Sequence, residues 1–107
     1  MNELNNFLHT MIDNTEAYCG LLLTRESTET RALIPGLKEG YNAVIDGMLR
    51  LYDAPEFSQV REDKAYWMSQ RERISDALES ADVFFTIDVL KNETEENFKL
   101  FLKMTEG

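Results

Sequence analysis

Apolar side chains recur every three to four residues along nearly the whole chain, and this spacing commits it to helices rather than strands. In residues 2–23, Leu4, Leu8, Met11, Thr15, Tyr18 and Leu22 fall within about 40° of one line at roughly 100° per residue, with Phe7, Ile12 and Cys19 on its flanks. That is one amphipathic helix with a broad inward stripe. Polar residues from Arg25 to Thr30 interrupt it, and Ser27 or Thr28 can cap a second helix. The second stripe is Leu33, Leu37, Tyr41, Val44, Met48 and Leu51, and the seven-residue recurrence of Leu37, Val44 and Leu51 suits a shallow crossing against a neighbour. Pro35 predicts a kink inside this stretch, or a helix that starts properly only near residue 34. Asp53, Ala54 and Pro55 end it.

A third stripe carries Val60, Trp67, Ile74, Leu78 and Ala81, and helical composition then runs on without punctuation to Lys91. Phase decides whether one rod or two helices occupy this region. Val83, Ile87, Leu90, Thr94 and Phe101 would point about 180° away from Trp67 if the third helix simply continued. A reversal between Glu79 and Val83, with Ser80 or Asp82 as the new N-cap, removes the conflict. The expected fold is an all-α, antiparallel up-down-up-down four-helix bundle with helices at about 2–23, 28–53, 56–79 and 82–104, forming one domain over 1–107.

Twenty Asp and Glu against eleven Lys and Arg give a net charge of −9, which repels phosphate backbones and anionic headgroups. Neither nucleic acid nor a membrane surface is expected as a partner. The charge leaves room for a basic protein partner, or for mimicry of nucleic acid by an inhibitor of a DNA-binding protein. With one cysteine, no leader-like segment after Met1 and no apolar run near the ~20 residues of a membrane span, the expected location is cytoplasmic.

The motifs of chemistry are missing. His9 is the one histidine and projects away from the first stripe, no Glu-x-x-His occurs, and one Cys with one His cannot make a zinc site. Cys19 has Thr15, Glu16, Leu22 and Leu23 one turn away and no cation to activate it. Asp76, Glu79 and Asp82, and then Glu93, Glu95 and Glu96, read as solvated faces and helix-end charge rather than converging ligands. No enzyme, no catalytic, metal or cofactor-binding residue and no cofactor are expected.

Two other patterns point to contact. Gly36, Gly40, Ala43, Gly47 and Ala54 lie within about 60° of one another on the second helix, a ridge that admits either a neighbouring helix of the same chain or a partner helix in a shallow groove. Tyr66, Trp67 and Met68 cover too wide an arc for one bundle core, and Phe98, Leu100, Phe101, Leu102 and Met104 make the final turns apolar almost all round. The expected interaction surface is Phe57, Val60, Leu100 and Met104, covered by a partner protein or by a second copy in a homodimer. Arg71 lies about 40° from the line of Trp67, so it either snorkels to water or, with Trp67 and Tyr41, borders a pocket for a small molecule.

The stretch Asp76-Ala77-Leu78-Glu79-Ser80-Ala81-Asp82-Val83-Phe84-Phe85-Thr86-Ile87-Asp88-Val89-Leu90 resembles a segment of small uncharacterised bacterial all-helical proteins, in which an Ala-Leu-Glu helix end meets an Asp-led helix. The resemblance implies a small helical protein and carries no activity. The sequence as a whole thus reads as a non-catalytic acidic helical protein acting by protein–protein interaction, in an adaptor, chaperone-like or regulatory role.

Overall fold

A computed structural model of the chain describes residues 2–24, 27–53 and 63–106. Among these residues the backbone is helical between short turns and holds no strand: α1 Asn2–Thr24, α2 Ser27–Arg31, α3 Ile34–Tyr52, α4 Asp63–Glu79, α5 Val83–Ile87, a π-helical segment Asp88–Glu95, and α6 Glu96–Glu106. The fold is an all-α bundle measuring 46 × 23 × 20 Å. The expected helix ends at 23 and 79 fall within one residue of those observed. Pro35 sits in the first turn of α3, so the polar stretch before it forms the separate short α2, followed by a turn at residues 32–33. The start of the third expected helix, residues 56–62 with Phe57 and Val60, lies outside the described residues.

The reversal predicted from the phase of the stripes is present. Asp82 has extended backbone angles, and its carboxylate accepts from the amides of Phe84 at 3.0 Å and Phe85 at 3.2 Å, capping α5. The Ser80 hydroxyl oxygen accepts from the Asp82 amide at 3.0 Å, and the Thr86 hydroxyl donates back to the Ala77 carbonyl at 2.7 Å, tying the two sides of the turn. Ala81 therefore belongs to the turn and is exposed, not part of the α4 stripe. Replacing Asp82 by Ala leaves those two amides without their cap and should cost about 1 kcal/mol, read as a lowered midpoint in urea unfolding at unchanged slope.

Cross-helix bonds fix how the helices face each other. Lys38 pairs with Glu79, Arg71 with Asp46, and Lys64 with Asp53 at 2.6 Å, so partner numbers fall on α4 as they rise on α3. Gln70 donates to Thr94 at 3.1 Å, Arg73 pairs with Glu93 at 2.7 Å, and Tyr66 meets Asn97, which is the same antiparallel pattern between α4 and the last helical stretch. That stretch closes on α1, where Thr105 donates to the Asn5 side chain.

Leu8, Met11, Leu37, Val44, Met48, Trp67, Ile74, Leu78 and Phe101 are buried, as their stripes predict. At the centre Phe98 stacks on Trp67 with ring centroids 5.7 Å apart and meets Tyr41 at 6.2 Å. Ile87, expected in the core, is only half-buried, and Thr86, Val89 and Leu90 take the inward places. From Asp88 the π-helical segment, with more residues per turn than an α-helix, sets the inward places five apart, at Val89 and Thr94 and at Leu90 and Glu95. The Thr94 hydroxyl donates to the Val89 carbonyl at 2.9 Å, five residues back, which supports that wider turn.

Candidate interaction surfaces and a buried carboxyl

The outer face of α6 is built by arithmetic. Phe98, Phe101 and Leu102 turn inward and are buried, which leaves Leu100 and Met104, one turn apart, on the outside at 64% and 46% exposure. At about 100° per residue, Glu96 and Lys103 share this outward sector with them, and both charges are exposed. The face is thus an apolar pair with an acid at one end and a base at the other. Tyr66, 46% exposed, stands beside it through its contact with Asn97. Phe57 and Val60, expected on the same surface, lie outside the described residues.

The small-residue ridge of α3 divides between two uses. A Cβ added at Gly40 would meet the Met11 sulfur at 2.6 Å, and one at Gly47 would meet Leu4 Cδ1 at 2.9 Å, so at these two positions the missing side chain lets α1 come close. Gly36 has nothing within 4 Å of the corresponding position, and Ala43 is exposed. Ala43 and Gly47 border one open groove with Glu3, Phe7 and Arg50, while Gly36 borders another with Ala17, Leu21 and Leu33. The ridge is first a packing seam within the chain, with shallow grooves along its edge.

Trp67, Tyr41 and Arg71, suggested for a small-molecule pocket, have the following surroundings among the described residues. Trp67 and Tyr41 are both buried against Phe98, which fills the space between them. Arg71 pairs with Asp46 and borders an open depression with Met68, Ser69 and Glu72. The ion pairs of Lys38, Lys64, Arg71 and Arg73 also interleave cations with the carboxylates along both α4 seams.

Sequence reasoning missed the most unusual side chain. Glu95, read as part of a solvated acidic face, is 1% exposed at the end of the π-helical segment. Its Oε1 is buried with no hydrogen-bond partner, and Lys99 Nζ stands 3.8 Å from Oε2. Desolvation by burial raises the Glu95 pKa above the ordinary carboxylate range, Lys99 opposes the shift, and Glu16 adds to it. Nearby, the Thr15 and Tyr41 hydroxyls share a hydrogen bond, and burial pushes the Cys19 thiol up to about 11, so it rests as an inert neutral thiol. No α-helical spacing could have found Glu95, because the π turn is what carries it inward.

Among the described residues, no group of three or more His, Cys, Asp and Glu could hold a metal ion, and no helix is long and apolar enough to cross a membrane. No family model, curated protein or solved structure matches the chain.

Proposed function

We propose that this is a non-catalytic acidic helical protein of the cytoplasm that acts by protein–protein contact, and that the outer face of α6 joins it to a second copy of itself. The observation that carries this reading is the pair Leu100 and Met104, exposed although Phe98, Phe101 and Leu102 already fill the core beneath them. Adjacent exposed apolar residues on an otherwise charged helix are where interaction surfaces form. The charges favour a second copy as the occupant. In an antiparallel helix pair related by a twofold axis, like flanks meet, so Glu96 of each copy comes beside Lys103 of the other while the two Leu100 side chains meet near the axis between them.

One helix face buries far less than the roughly 1,600 Å² of a standard stable interface, so the dimer is weak and reversible, suited to an adaptor or regulatory role. Sedimentation velocity tests it. Wild type should show a concentration-dependent dimer by high micromolar concentration, and the double variant Leu100→Glu with Met104→Glu should sediment as a folded monomer with an unchanged circular-dichroism spectrum. Wild type that stays monomeric throughout, or a double variant that dimerises as well as wild type, rules the proposal out.

A further inference from the structure

We propose that the cleft where α1, α2 and the turn between α4 and α5 meet binds a small amphipathic carboxylic acid, its carboxylate held by Arg31, Tyr18 and Ser80 and its tail by Leu22, Ile34 and Leu78. The cleft has a volume of about 300 Å³, at the small end of the range for ligand sites, and like them it sets a few polar groups on an apolar wall. None of its lining residues belongs to α6, so it stands apart from the proposed self-association face.

The polar groups of the cleft select the head group. Arg31 is the one charged residue among those that line it, and its planar guanidinium matches a carboxylate. The acidic residues of the adjoining turn are already engaged, Glu79 with Lys38 and Asp82 with the amides it caps. Tyr18 is 3% exposed and, among the described residues, its hydroxyl makes no hydrogen bond. A buried hydroxyl left unpaired is costly, and an anionic acceptor satisfies it. Tyr18 also borders the groove beside Gly36, but the charge its phenol feels is on this side: burial raises the Tyr18 pKa, and Arg31 opposes the rise. The Ser80 hydroxyl oxygen accepts from the Asp82 amide at 3.0 Å, which leaves its O–H to donate to the ligand. Leu22 and Ile34 are half-buried, so an aliphatic tail laid over them removes further apolar surface from water.

Amide NMR titration of the full chain with sodium octanoate, and with octan-1-ol as the uncharged control, tests the site. Octanoate should give saturable shifts gathered on Leu22, Arg31, Ser80 and Val83 at concentrations up to about 10 mM. Octan-1-ol carries the same tail without the charge and should bind about tenfold more weakly or worse. Arg31 is exposed, so Arg31→Gln should fold as wild type does, lose about tenfold in octanoate affinity and keep its affinity for octan-1-ol. Tyr18→Phe keeps the buried ring and removes the hydroxyl, and it should also weaken octanoate. Octanoate shifts that are absent or gather elsewhere overturn the proposal. Octan-1-ol binding as tightly as octanoate, or wild-type octanoate affinity in either variant, overturns it too.

Discussion

Trp67→Ala should lower stability by about 3–5 kcal/mol, a large share of the 5–15 kcal/mol that holds a typical domain together. Trp67 is 4% exposed and stacks on Phe98, which in turn packs on Tyr41, so its removal opens a cavity where α3, α4 and α6 contribute rings to the same core. The neighbours cannot collapse into the space cheaply, because Tyr41 is held through its hydroxyl by Thr15. In thermal unfolding the loss corresponds to a fall of well over 10 °C at ~4–8 °C per kcal/mol for a domain of this size. Met68→Ala serves as the internal control, since Met68 is adjacent in sequence but 56% exposed and should change stability by no more than ~0.5 kcal/mol. Equal effects for the two would mean that the α4 stripe has been assigned to the wrong face.

Gly40→Val should destabilise by about 1–3 kcal/mol, while Gly36→Ala, four residues away on the same helix, should be neutral or stabilising by a few tenths. At Gly40 even a Cβ meets the Met11 sulfur at 2.6 Å, and valine adds two methyls to a seam where α1 has already closed in. Met11 is itself buried and has little room to retreat. At Gly36 the same atom meets nothing within 4 Å, so alanine gains only its better helix propensity. Urea unfolding midpoints of the two variants should therefore move in different directions or by clearly different amounts. If Gly40→Val were as harmless as Gly36→Ala, the close approach of α1 and α3 would be wrong.

Most of the fold was readable from periodicity. The change of stripe phase after Ala81 placed the reversal that Asp82 caps, and Pro35 placed the start of α3, because both rest on local rules that packing does not overrule. The final helix was readable in length and not in register. Its π-helical segment fits more residues into each turn than an α-helical wheel contains, which is why Glu95, five residues after the buried Leu90, was expected in water. The glycine ridge was visible as a pattern, but its purpose depended on where α1 docks, and only Gly40 and Gly47 take part in that docking. On α6, the inward Phe98 and Phe101 left Leu100 and Met104 outside, as a single helical stripe requires.

The pairing of α6 with its copy is tested most directly by exchanging charges, since the proposed contact places Glu96 against Lys103 of the second molecule. Lys103→Glu alone, and Glu96→Lys alone, should each weaken self-association in sedimentation equilibrium by setting like charges together, whereas the double exchange in one chain restores opposite pairs and should recover wild-type dimerisation. Recovery in the double exchange is the predicted result; a double variant no stronger than either single one would contradict the antiparallel contact.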